Sequence, residues 1–442
     1  MIVVGGYLIR SASKQGDILD IKADFNTSTS LEIIGVPNGV SSVRINNVPT
    51  TYSINDEKNW IVYISYQPPL LYLVDFSADV SWFCIDSLPE IQPGYDDSLW
   101  PKANHRETWN SFMPPLQTPV SLYGSDYGFH AGVLVFRGSF TASGFERALY
   151  ISTIGGAAFG SSVWLNGTFV GSWSGDPESS LHNDTYLLPW ILAPGETYVF
   201  TVVVDNLGLE ENLIVGDDNM KTARGILNYK LLVSDTATDS SGGGGNKDDQ
   251  GRGTDSISWK ITGNLGGESY IDHARGPLNE GGLFVERQGF HLPRPPISRK
   301  EGDVGFTSRT PIDGMNEPGI LFYSTSFTLD LPKGQWDIPL RFVFANDSGS
   351  STQQPYRAWL YVNGFQFGRY LNHIGPQTEF PVPEGILDYG GENWVGLAVW
   401  ATQTGGAKVP RLSLEAGRPI LSGREPVDVV RAPAWTQRPG AY

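Results

Sequence analysis

The chain has 442 residues and a formal net charge of −16. The length allows about three domains, each with its own core. An acidic surface repels phosphate backbones, which excludes nucleic acid as a natural partner. No run of about 18 apolar residues occurs, so no segment reads as a membrane-spanning helix. With 52 Gly, 30 Pro, 13 Trp and only 4 Met, the composition fits short strands joined by tight turns rather than a helical bundle.

Residues 1–80 hold short β-type bursts, such as Leu31-Glu32-Ile33-Ile34-Gly35-Val36 and Trp60-Ile61-Val62-Tyr63-Ile64-Ser65-Tyr66, separated by turn residues. They predict a small antiparallel β unit. The opening Met1–Arg10 reads as the middle of a strand and lacks the charged start and apolar length of a signal peptide. The expectation is either a cytosolic protein or the tail of a longer one. Residues 81–238 form a first β domain that opens with Leu88-Pro89-Glu90-Ile91 and Tyr95–Pro101. A short helix or turn is expected from Ser98 to about Trp109. The polar, glycine-rich stretch 239–255 predicts a flexible linker. Residues 256–442 form a second β domain.

The two domains repeat each other. Residues 161–173 read Ser-Ser-Val-Trp-Leu-Asn-Gly-Thr-Phe-Val-Gly-Ser-Trp, and residues 357–370 read Arg-Ala-Trp-Leu-Tyr-Val-Asn-Gly-Phe-Gln-Phe-Gly-Arg-Tyr. In each, an Asn-Gly pair joins two apolar runs, and Asn-Gly readily takes the positive φ angles of a type I′ hairpin turn. Matching strands precede the hairpins (Val133–Phe140, Ile320–Phe327) and follow them (Gly195–Val204, Gly391–Trp400). The offset of about 190–200 residues is too long for a solenoid and means two copies of a whole β domain. Alternating β/α units are absent, which excludes a (β/α)₈ barrel in this chain.

The residues offer little catalytic chemistry. Asp96-Asp97 and Glu210-Glu211 are adjacent, and neighbours on a strand face opposite ways, so neither pair is poised as acid and nucleophile. Asp96 or Asp97 is expected to cap the turn before Ser98. Glu280 and Glu286 flank the apolar run 282–285 and carry a structural expectation. The six histidines form no zinc signature. No metal site and no cofactor is expected, although Asp217-Asp218-Asn219 has calcium-type donors. Cys84, the one cysteine, reads as a buried small hydrophobe. Trp164, Trp173, Trp190, Trp259, Trp359, Trp394 and Trp400 are each either a core residue or a flat platform for a sugar ring. Sequons for N-glycosylation start at Asn26, Asn166, Asn183 and Asn346.

Several longer stretches resemble the fungal family 35 β-galactosidases. These are Leu88–Ile91 with Tyr95–Pro101, Ser125–His130, Phe159–Thr168, Asp205–Asn212, Met220–Asn228, Trp259–Glu268, Arg275–Leu283, Glu286–His291, Ile374–Thr378 and Gly440–Tyr442. The resemblance implies an all-β fold of two jelly-roll, galactose-binding-like sandwiches preceded by a small antiparallel β unit. It also implies that the acid/base and nucleophile glutamates lie on a catalytic barrel to which no position here corresponds. On this reading the chain is the non-catalytic C-terminal β region of a β-galactosidase of a secreted family. It supports the barrel and rims its galactoside entrance. Glu210, Glu211, Asn212, Arg224, Trp259, Arg275 and Glu280 are the candidate contacts to the barrel or to carbohydrate. The alternative is a stand-alone lectin-like jelly-roll protein that binds galactose or a β-galactoside.

Overall fold

The computed structural model describes residues 1–108, 110, 116–207, 223–233, 257–265, 281–295, 305–345 and 354–435. Its regular structure is almost entirely β, as the sequence predicts. The N-terminal unit is a sandwich of two four-stranded sheets. One contains strands Ile2–Val4, Thr29–Ile34, Ser53–Ile54 and Trp60–Ile64, and the other Leu8–Gln15, Ile18–Asp24, Ser42–Ile45 and Val48–Thr50. Alternation puts Leu19, Ile21, Leu31, Ile33, Val43 and Val62 between them. One pair departs from the antiparallel expectation: Ile18–Ile21 runs parallel to Ser42–Ile45.

The first jelly roll packs a five-stranded sheet on the three-stranded sheet of Glu146–Ile154, Leu181–Leu187 and Gly225–Val233. The larger sheet holds Ala131–Thr141, Gly160–Leu165, Thr168–Trp173, Thr197–Asp205 and Ser258–Asn264. The second roll has a six-stranded sheet built around Gly319–Thr328, Glu392–Ala401, Tyr356–Val362 and Phe365–Leu371. It faces a three-stranded sheet of Leu340–Phe344, Glu379–Val382 and Leu412–Ala416.

Two strands cross the boundaries read from the sequence. Phe83–Asp86, assigned to the first domain, pairs with Gly319–Thr328 of the second roll. Ser258–Asn264, assigned to the second domain, pairs with Ala131–Thr141 of the first. Local apolar pattern marks a strand but not its partner, so position along the chain assigns both strands to the wrong roll. The stretch after Ser98, expected as a short helix or turn, begins as a turn, with the Asp96 side chain accepting from Ser98 N at 3.0 Å. The 239–255 linker and Trp109 lie outside the described residues.

The repeat is reproduced in fine detail. Both Asn-Gly pairs have positive φ at both positions: Asn166 46° and Gly167 84°, Asn363 48° and Gly364 86°. Each hairpin then carries a register shift at the same place, after Val163 opposite Gly171 and after Leu360 opposite Gly368. Each turn asparagine also clamps the neighbouring long strand. Asn166 Oδ1 accepts from Val199 N at 2.8 Å, and Asn363 Oδ1 accepts from Trp394 N at 2.8 Å. Asn thus serves twice, through its tolerance of left-handed φ and through a carboxamide that bonds the next strand.

The two rolls meet large sheet to large sheet. Val133, Val135, Trp164 and Val203 of the first pack on Ile320, Phe322, Trp359, Tyr361, Ala398 and Trp400 of the second. For this reason strands Gly160–Leu165 and Tyr356–Val362 are buried at every residue, with no alternation. The C-terminal end returns to the N-terminal unit: Leu421 bridges Phe25, and Ser422 Oγ donates to Asp24 Oδ1 at 3.0 Å.

Candidate functional site

The seam between the rolls holds a fully buried ion pair. Arg357 is the one charged residue in the otherwise apolar strand Tyr356–Val362, and Asp205 ends the valine run 202–204. Arg357 Nη1 donates to Asp205 Oδ2 at 2.8 Å, and both side chains are fully buried. Arg369 Nε lies 3.5 Å from Asp205 Oδ1, and its Nη1 donates to Asn206 O at 2.6 Å. Arg357 Nη2 donates to Ala158 O and Ser174 O at 2.5 and 2.8 Å. Burial pulls the Arg357 pKa down, and Asp205 opposes that shift. Glycine makes the room: a Cβ on Gly160 would sit 2.5 Å from Arg357 Nε, and one on Gly175 2.4 Å from Nη2.

Two further ionic groups tie the lead-in segment to the seam. Glu90 pairs with Arg287, both buried. Arg137 and Lys260 each donate to Asp97, at 2.7 Å. Burial raises the Asp97 carboxyl, but these two donors outweigh it and hold the pKa below the ordinary range. Carboxylates held this way accept charge-assisted hydrogen bonds and have no proton to give near neutral pH. Glu286 accepts from Leu283 N at 3.1 Å at the head of a one-turn helix, in line with its structural expectation.

The candidates named from sequence scatter. Trp259 is in the first roll's core, edge-on to Tyr229 at 5.3 Å and packed over Gly138, so it presents no face to a sugar or to a docked domain. Arg224 is buried beneath the Gly155-Gly156 turn, where a Cβ on Gly156 would lie 3.1 Å from its Nη2. Glu210, Glu211, Asn212, Arg275 and Glu280 lie outside the described residues, as do Asp217-Asp218-Asn219 and Asn346. Trp164, Trp359 and Trp400 are buried in the seam. Trp173 and Trp394 are half-buried, and Trp190 is 39% exposed. Asn183 is exposed, whereas Asn26 and the turn residue Asn166 are half-buried.

Cys84 is buried, and burial pushes its thiol up to about 12, so it packs as a small hydrophobe. Among the described residues no group of three or more His, Cys, Asp and Glu could hold a metal ion. No helix among them is long and apolar enough to cross a membrane. The sequence reading held Arg357 only as part of the repeat and Asp205 only as the start of the Asp205–Asn212 stretch, and missed their pairing. The available signal was a lone charge inside each of two apolar strands of the repeat.

Known proteins match this architecture. Residues 95–210 and 284–405 match the family described as "Beta-galactosidase second all-beta domain", more than half of the chain. Residues 1–61 match "Beta-galactosidase, domain 3". Beta-galactosidase A of Aspergillus niger is 49% identical over 442 residues, which is all of this chain and 41% of that protein. Beta-galactosidase A of a Penicillium species is 46% identical over the same span, again 41% of its length. The probable beta-galactosidase A of Emericella nidulans is 48% identical. This chain therefore spans about two fifths of the length of these relatives. On the repeated all-β domains and these matches, the chain belongs to the β-galactosidase family.

Proposed function

We propose that this chain is the non-catalytic β region of a β-galactosidase, where it packs against a catalytic domain, supports it and rims the entrance for terminal β-galactosides. The observation that carries this reading is the span of the matches: the whole chain aligns with only 41% of each relative's length. The ionic chemistry of the seam favours it too, because Asp205, Glu90 and Asp97 are all held by cations in structural pairs.

A docked domain needs apolar surface, and the N-terminal unit offers it. Ile2 and Leu8 are exposed on its edge strands and Tyr7 in the bend between them, and Leu70 and Tyr72 are each 85% exposed on the segment that follows. Glu210, Glu211, Asn212, Arg275 and Glu280 are the further contact residues in this reading. Arg224, buried close to Gly156, is the remaining charged candidate of this reading. For a secreted protein Asn26, Asn166, Asn183 and Asn346 are the proposed glycan acceptors.

The test is hydrolysis of a chromogenic β-galactoside by the purified chain, alone and mixed with the separately expressed catalytic domain of a relative. The chain alone is expected to be inactive and to raise the thermal stability of the added domain. Turnover by the chain alone, abolished by one carboxylate substitution, would overturn the reading.

A further inference from the structure

A cleft of about 420 Å³ opens between the N-terminal unit and the second roll. Four stretches build it: those around Ile45–Thr50 and Tyr63–Gln67, the turn Gly334–Trp336, and the returning segment Leu421–Pro426. Strand pairing fixes the floor, because Trp336 pairs with Leu421, and Leu421 bridges Phe25. Gly423 lets the returning segment lie close: a Cβ there would sit 2.3 Å from Asn46 Oδ1 and 2.6 Å from Ala23 N. Asn46 is in turn fixed by two bonds to the Ala23 backbone, at 2.9 and 2.7 Å. The cleft is therefore a pre-formed joint, and pockets at domain junctions are preferred places for ligands.

We infer that this cleft binds a short neutral oligosaccharide. The lining combines two aromatic rings with uncommitted amides. Trp336 is half-buried, held edge-on by Tyr66 at 5.5 Å, and Tyr63 is 64% exposed. Among the described residues the side chains of Gln67 and Gln335 have no protein partner, and both line the cleft. An indole face stacks on the C–H face of a pyranose, and carboxamides both donate to and accept from its hydroxyls.

The charges in the lining are already paired. Lys22 Nζ donates to Asn47 Oδ1 at 2.5 Å and lies 3.7 Å from Glu425, while Arg424 pairs with Glu384. No free cation is left for an anionic ligand, and the net charge of −16 opposes one further. A second, smaller cleft shares Gly334, Trp336 and Pro426 with the first. The indole thus stands at the junction of two hollows, which suits a ligand of more than one sugar unit. This inference concerns binding by the chain itself and stands or falls separately from the catalytic partnership above.

The experiment is isothermal titration of the whole chain with β-1,4-galactotriose, cellotriose and trigalacturonate. Saturable binding of a neutral trisaccharide is expected, weakened about tenfold or more in Trp336→Ala, retained within a few-fold in Trp336→Phe, and unchanged in Trp190→Ala. Gln67→Ala combined with Gln335→Ala leaves the rings in place and is expected to weaken binding as well, so the site remains testable if Trp336→Ala fails to fold. The inference is overturned by no saturable binding of either neutral sugar, by tighter binding of trigalacturonate, or by binding that survives the substitutions in the cleft.

Discussion

Arg357 of the second roll and Asp205 of the first are 2.8 Å apart with neither side chain exposed. They are 152 residues apart in sequence, so this pair forms only once both rolls have folded and met. Removing one member of a buried pair leaves the other charged in a medium that cannot solvate it. Asp205→Asn is therefore expected to destabilise the chain by about 3–5 kcal/mol. A fall in the urea midpoint measures it, and an unchanged midpoint would show that the seam admits water.

The same guanidinium crowds any side chain larger than hydrogen at Gly160. A Cβ at Gly160 would lie 2.5 Å from Arg357 Nε and 2.8 Å from Cζ. Gly160→Ala is expected to cost about 1–3 kcal/mol through overpacking. Combining it with Arg357→Ala should cost less than the sum of the two single changes, because the clash disappears with the guanidinium. Additive losses would place the strain elsewhere.

The indole of Trp359 fills the seam beside Trp400, with ring centroids 6.3 Å apart. Trp359→Ala opens a cavity between two sheets that cannot collapse independently and is expected to cost about 3–5 kcal/mol. Trp190→Ala, on the surface, should stay within about 0.5 kcal/mol. Thermal or chemical denaturation of both variants checks the contrast.

His291 is buried against Tyr361, with its Nδ1 3.4 Å from Val285 O, and burial pushes its pKa down to about 4. Unfolded, it titrates near about 6.5. Between these values the unfolded chain binds more protons than the folded one. Stability therefore rises with pH across this window and is lost as pH falls from about 6.5 to about 4, at up to roughly 1.4 kcal/mol per pH unit. His291→Gln is expected to flatten the stability–pH profile in that window. A profile as steep as that of the parent chain would assign the slope to other groups.

The second roll depends on residues that precede the first. Phe76, Trp82 and Cys84 lie in its core, and Phe83–Asp86 forms part of its larger sheet. A fragment starting at residue 257 is expected to lack cooperative unfolding and to aggregate through the uncovered sheet. A peptide spanning residues 70–88, added during refolding, should restore near-UV circular dichroism. A fragment that folds cooperatively without it would show that the strand is dispensable.

Much of the fold was legible because it is local. Asn166-Gly167 and Asn363-Gly364 announce their turns through their own φ preferences, and Asp96 announces its turn through a short side chain that reaches Ser98 N. The apolar runs around them mark strands whatever lies alongside. The candidate site was less legible. Trp259 could be read as a platform or as core, and only its packing over Gly138 and against Tyr229 decides for core.

The sequence by itself determined the repeated β domain, its hairpins and the family to which they belong, because turn chemistry and strand period act between near neighbours. The tertiary structure alone decided what the second face of each large sheet covers, which strands cross between the rolls, and which arginine answers Asp205. A two-sided apolar strand carries no mark of its partner. Pairing and burial are chosen by the whole chain at once, where one misplaced charge in the seam costs more than any single turn contributes.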